Sequence, residues 1–276
     1  MPKFIVGARL HDYGKGSPDE LFGRVAADGF AAVQLAYKKC VPSVRSYADV
    51  TDALVAETVA AEKAHSIQVA VLGTYVELAI NDESRLKNTA DFKSQLAVCK
   101  ALGAGCIATE TTSMEKQPAG TTREEAQELL CRSLADILPA AEALGVTVAV
   151  EPVTYHSMNS AAATRHILDT MRSPNLKVIF DMSNLVDAGN VGAQDRIWND
   201  VGELLGDQIV AVHFKGQAFA PDGGLLHTSL EDSLTDYAGA FAMLRQLPQD
   251  ALPVLREEAV PARAASDIAF MRGLFA

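Results

Sequence analysis

Eight times along this chain a short run of β-branched and aliphatic residues is followed by a longer stretch with helical spacing, and this alternation limits the possible folds more than any other feature. The apolar runs lie at residues 4–9, 32–36, 68–72, 106–109, 146–150, 178–180, 209–213 and 252–256. Most are continuously apolar, as expected of parallel strands covered on both faces. The stretches between them carry helix boundaries. Ser17-Pro18-Asp19-Glu20 supplies an N-cap, a proline at the first helical position and a glutamate three residues after the cap. Thr121 or Thr122, ahead of Arg123-Glu124-Glu125, opens a helix running to about Leu144 and stopped by Gly145. A helix from Ser84 to about Leu102 stops at Gly103 in the same way. Further helices are expected near 51–65, 160–172, 194–205, 235–247 and 262–275. Eight strand–helix pairs in 276 residues predict one α/β domain over residues 1–276, a single (β/α)8 TIM barrel, which typically takes about 250 residues. A doubly wound open sheet would be expected to show a GxGxxG turn after its first strand, and the sequence has none there.

Composition narrows the function classes. The formal charge of −11 argues against a nucleic-acid partner, which usually meets a basic stripe. No apolar run reaches the roughly 20 residues that cross a bilayer. The start, MPKFIVGARLHDYG, lacks the long apolar segment of a signal peptide, and Cys40, Cys99, Cys106 and Cys131 form no CxxC pair. Free thiols in a reducing, cytoplasmic setting are therefore expected.

In a (β/α)8 barrel the C-terminal ends of the strands line the active site. Polar residues recur there: His11 and Asp12, Glu77, Glu110, Glu151, Asp181, His213, and Glu257-Glu258. Charged groups abutting apolar strands are costly to bury unless paired or bound to metal. Glu151, Asp181, His213 and Glu257 together make an oxygen-rich set with one imidazole. That donor set suits Mn²⁺, Mg²⁺ or Co²⁺, with Zn²⁺ also compatible. Other readings stand beside this one. Asp181 could cap the following turn and His213 could be a core histidine. Glu151 precedes Pro152 and cannot cap a helix there. Between Glu257 and its neighbour Glu258 the alternation of faces decides, and Glu257 is the expected inward residue.

VAVEPVTYH, VIFDMSNL, VAVHFKG and PVLREE, in that order, resemble the sugar phosphate isomerase/epimerase family of xylose isomerase-like barrels. That family includes tagatose and psicose 3-epimerases, with endonuclease IV a distant relative. VLGTYVELA, ADFKSQLAVCKALGA and IATETTS resemble its third and fourth units. The resemblance implies one divalent ion on Glu151, Asp181, His213 and Glu257, with Glu151 and Glu257 also moving the proton through an enediolate. It implies substrate contacts at His11, Glu110, His156, Asn184 and Lys215, and Lys215 and Arg256 are candidates to hold hydroxyls or a phosphate. It also implies a small sugar as substrate and a dimer or larger assembly. The sequence differs from the usual pattern at Asn184 (usually histidine), Gly216 (an acid) and Phe219 (an arginine), and it lacks Gly-x-Gly before Asp236-Tyr237. Three rival functions follow from the same barrel: an inosose dehydratase-like lyase, a non-catalytic sugar-binding barrel, and a phosphodiesterase acting on abasic DNA. The last needs a histidine-rich multi-zinc site, and this acidic chain has six histidines in all.

Overall fold

The computed structural model describes residues 1–275. Eight parallel strands close into a barrel: β1 (Lys3–Arg9), β2 (Ala32–Leu35), β3 (Gln68–Gly73), β4 (Cys106–Glu110), β5 (Val148–Glu151), β6 (Leu176–Asp181), β7 (Ile209–Phe214) and, after a hairpin, β10 (Ala251–Arg256). Around the ring the order is β1-β10-β7-β6-β5-β4-β3-β2, so each strand is hydrogen-bonded on both sides. The hairpin is formed by β8 (Gly216–Phe219) and β9 (Leu225–Thr228), which pair antiparallel over the C-terminal end of β7. The helices are α1 (Pro18–Ala27), the single turn α2 (Tyr37–Cys40), α3 (Asp52–His65), α4 (Asp82–Leu102), α5 (Arg123–Leu144), α6 (Ala161–Met171), α7 (Gln194–Leu205), α8 (Tyr237–Leu244) and α9 (Ala264–Phe275).

Their starts follow local chemistry. Ser17 accepts from the Glu20 amide while the Glu20 carboxylate reaches back, closing a capping box ahead of Pro18. Thr122, not Thr121, does the same with Glu125 for α5. Asn81 caps α4, which therefore begins two residues before Ser84. Gly103 and Gly145 end α4 and α5 in the left-handed conformation, at φ of 67° in both cases.

Two apolar shells hold the molecule together. Large side chains such as Phe22, Phe92, Phe180, Phe214 and Phe241 fill the layer between strands and helices. The barrel interior is packed with smaller ones, including Ala32, Cys106, Ala108, Ala149, Ile179, Ala211 and Leu255. Burial of these shells is the main driving force for folding. The four cysteines are free, and Cys40, Cys99 and Cys106 are buried as small apolar residues. Among the described residues, no helix is long and apolar enough to cross a membrane.

Candidate active site

The site is an extension of the barrel's inward parity. Side chains along a strand alternate faces, so the residue two beyond an interior one points the same way. Ala149, Ile179, Ala211 and Leu255 fill the interior, and two residues on stand Glu151, Asp181, His213 and Glu257. The ring places these four on neighbouring strands, with Asp181 directly beside His213 and Glu110 beside Glu151. All four are at least 95% buried.

Donor atoms of Glu151, Asp181 and His213 lie within 4.8 Å of one another. The Nδ1 of His213 is 3.0 Å from Glu151 Oε2 and 3.4 Å from Glu257 Oε1, so the two glutamates crowd the same ring nitrogen. Neither oxygen lies where a ring N–H would point, and both nitrogens of His213 lack a hydrogen-bond partner. One Asp181 oxygen accepts from the amides of Ser183 and Asn184 at 2.8 and 3.0 Å. The other, Oδ2, has no hydrogen bond, although the Lys215 ammonium stands 2.9 Å away. Lys215 is also 3.5 Å from Glu257 Oε2. Asn184 Nδ2 donates to Glu151 Oε1 at 2.6 Å.

Electrostatics follow from this crowding. Burial pushes the Glu257 carboxyl up, but His213, Lys215 and Arg9 outweigh it and pull it down to about 2. Burial, reinforced by Glu151 and Glu257, pushes Glu110 up to about 7. Burial also raises Asp181, against the pull of Lys215. Burial would lower His213 and Lys215, yet the surrounding carboxylates raise both, His213 to about 9. Buried polar atoms are nearly always satisfied in folded proteins. The partnerless His213 nitrogens, close to the carboxylates of Glu151 and Asp181, therefore fit a divalent cation, and Glu151, Asp181 and His213 are the residues that could hold it, with Glu257 beside them.

Glu258 is turned away, at φ of 54°, and pairs with Arg9 at 2.8 Å. Arg256, expected at the substrate, is not brought to the mouth. It has the outward parity of Val254, and its Nε donates to Asp267 Oδ2 of α9 at 2.8 Å, so this buried guanidinium works behind the barrel wall. Glu110 and His156 line a groove of about 420 Å³ with Tyr75, Thr111, Lys116 and Tyr155. An adjoining groove of about 470 Å³ is lined by Asn184, Gln217, Phe219 and Leu225. His11 lies edge-on to the Tyr75 ring, with centroids 5.7 Å apart. Hollows of about 700 and 770 Å³ lie at the N-terminal end of the barrel and between α7 and α8, but their charged lining residues are exposed or half-buried.

Three mouth residues escaped the sequence reading. Arg9 joins Asp12 at 2.8 Å and Glu257 at 3.8 Å. Gln34 is buried on β2 and Tyr75 follows β3. A lone glutamine inside AAVQLA and an arginine ending FIVGAR were the available signals.

The sequence pattern defining the xylose isomerase-like TIM barrel family matches residues 22–274. The chain belongs to that family. No curated protein sequence matches it. Solved xylose isomerase-like barrels nevertheless superpose over nearly the whole chain. A 3-keto-D-glucoside 4-epimerase from E. coli matches with a TM-score of 0.75 and 16% identity, covering 98% of this chain and 100% of the other. The IOLI protein, solved with a bound zinc atom, gives 0.77 and 16%, covering 100% and 98%. A xylose isomerase-like protein from Mycobacterium smegmatis, solved in complex with magnesium, gives 0.71 and 13%, covering 98% and 96%. These likenesses establish a shared fold.

Proposed function

We propose that the protein is a divalent-metal-dependent isomerase or epimerase of a small sugar or sugar derivative. The observation that carries this reading is the buried set of Glu151, Asp181, His213 and Glu257, in which both His213 nitrogens lack a hydrogen-bond partner. It gains support from the family and from neighbours whose names include a sugar epimerase. Hard oxygen donors favour Mn²⁺, with Mg²⁺, Co²⁺ and Zn²⁺ as alternatives. A divalent ion there supplies Lewis-acid stabilisation of negative charge developing on substrate oxygens.

The remaining chemistry belongs to the chain. A proton beside a carbonyl is removed by one carboxylate and returned by another group, to the opposite face in epimerisation or to the adjacent carbon in isomerisation. Glu151 and Glu257 both stand beside His213 Nδ1 and take these roles. Asn184 aims Glu151 through its 2.6 Å hydrogen bond, and Arg9 and Lys215 keep Glu257 ionised. Asp181, fixed by two backbone amides, serves as a rigid holder. His11, Glu110, His156, Asn184 and Lys215 bind the hydroxyls of the sugar.

The test is elemental analysis of wild-type protein and the His213→Ala variant, followed by a ketose panel with added Mn²⁺. The wild type should retain about one divalent ion per chain and His213→Ala should lose it. Glu151→Gln should leave no measurable turnover. Unchanged metal content in His213→Ala, or near-normal turnover in Glu151→Gln, overturns the assignment. A product lighter by one water would make the enzyme a lyase.

A further inference from the structure

Arg256 and Asp267 form an ion pair that stability alone does not explain. Both are almost fully buried behind the barrel wall, at 2% and 1% exposure. Arg256 Nε donates to Asp267 Oδ2 of α9 at 2.8 Å. The other carboxylate oxygen, Oδ1, has no hydrogen bond, and the exposed Arg263 stands 3.8 Å from it. Taking two charges out of water is costly, and replacing a buried pair by apolar side chains of similar volume is often neutral or stabilising. A pair that also leaves one acceptor unmade is poorly suited to holding a fold together.

The other hydrogen bond of Arg256 reaches the candidate site. Its Nη1 donates to the backbone carbonyl of Glu257. Glu257 lies one residue past the last register pairs of β10, which join Arg256 to Ala8 of β1 and to Phe214 of β7. Its amide still donates to the Phe214 carbonyl at 3.0 Å. Among the described residues no backbone N–H donates to its carbonyl, and the guanidinium takes that place. The chain then turns at Glu258, held at φ of 54°, a left-handed conformation that a residue with a side chain adopts only under constraint. Glu258 pairs with Arg9 at 2.8 Å, and the Ala259 amide donates to Asp12 Oδ2 at 2.9 Å. The turn is therefore fixed from behind the wall by Arg256 and from the mouth by Arg9 and Asp12. Between these anchors the Glu257 carboxylate stands 3.4 Å from His213 Nδ1 and 3.5 Å from Lys215 Nζ.

We infer that Arg256, anchored by Asp267, is a positioning residue: it fixes the Glu257 backbone and so keeps the Glu257 carboxylate beside Glu151, Asp181 and His213. This inference rests on the metal-dependent reading of the site given above. The role needs arginine, because one planar group serves Asp267 through Nε and the carbonyl through Nη1. A lysine ammonium is a point charge without that fork. Groups that orient a metal ligand typically contribute about 10–100-fold to metal affinity.

The experiment is titration of metal-free protein with Mn²⁺, followed through the electron paramagnetic resonance signal of the free ion, beside urea unfolding of each variant. Arg256→Met combined with Asp267→Leu replaces the pair by apolar side chains and leaves no charge stranded. Arg256→Lys keeps a cation beside Asp267 but lacks the fork. Each should weaken Mn²⁺ binding tenfold or more, beyond any change in the folded fraction that the urea curves record. Glu257→Gln, which removes the carboxylate itself, should weaken it at least as much. Wild-type Mn²⁺ affinity in either Arg256 variant, or affinity lost only in step with the folded fraction, overturns the inference and leaves the metal site standing. Wild-type affinity in Glu257→Gln, or a wild type that binds no Mn²⁺, overturns both.

Discussion

Asn184 stands where histidine is usual in this family, and its contact gives the substitution a consequence. Its amide nitrogen donates to Glu151, a buried carboxylate, at 2.6 Å. Hydrogen bonds to charged groups contribute roughly 1.5–3 kcal/mol. Asn184→Ala should therefore lower turnover by at least tenfold while metal content stays near one ion per chain, since Glu151 remains but is no longer aimed. Steady-state kinetics beside elemental analysis would check this. A second residue controls acid stability. Burial, reinforced by Lys116, Arg123 and Lys215, lowers His156 from 6.5 to about 4. Between those values the unfolded chain binds the proton and the folded one does not. Stability contributed by neutral His156 is therefore complete above pH 6.5 and is lost as the pH falls toward 4. The drop in urea midpoint between pH 7 and pH 5 should be smaller in His156→Gln than in the wild type. At this scale much was legible in the sequence, because parity alone selects Glu257 over Glu258. Parity was equally available for Arg256, whose place behind the wall follows from Glu257 facing inward. Tyr75 was not legible, since its position depends on a left-handed backbone and on Lys39 from the distant turn α2.

The eight strands and the long helices were readable because apolar runs and caps are local signals. The β8–β9 hairpin was not, because its residues carry neither an extended apolar run nor a cap. The hairpin explains Gly216, which replaces the family's usual acid. A Cβ at 216 would stand 2.3 Å from the Ser229 carbonyl oxygen and 2.5 Å from that of Thr228, both backbone atoms that cannot move aside cheaply. Gln217 then pins the hairpin, donating to the Ser183 and Val186 carbonyls at 2.8 and 3.2 Å. Gly216→Ala should destabilise the protein by about 1–3 kcal/mol through overpacking, measured by urea unfolding. Thr122→Ala, which removes the cap of α5, should cost about 1 kcal/mol in the same assay.

Across the whole molecule, the closed ring makes burial of charge a shared matter. Arg256 and Asp267, each at most 2% exposed, join the barrel to α9. Asp267→Ala would leave a buried guanidinium uncompensated and should cost about 3–5 kcal/mol. The mouth carries a heavier imbalance, which bound metal should relieve. An ion present at a hundred times its dissociation constant adds about 2.7 kcal/mol. Melting temperature should accordingly rise with Mn²⁺ and fall with a chelator in the wild type, and respond to neither in His213→Ala.

Ring order and chain order coincide in one further respect. Glu151, Asp181, His213 and Glu257 all come from the second half of the sequence and sit on one contiguous arc, β5-β6-β7-β10. Arg9, His11, Gln34, Tyr75 and Glu110 come from the first half and occupy the facing arc. The candidate ligand set is thus written on one stretch of the gene, while the other mouth residues are shared between both. A chimaera that kept the later half and borrowed the earlier one from a cousin would carry over the four candidate ligands together and exchange the facing wall of the mouth.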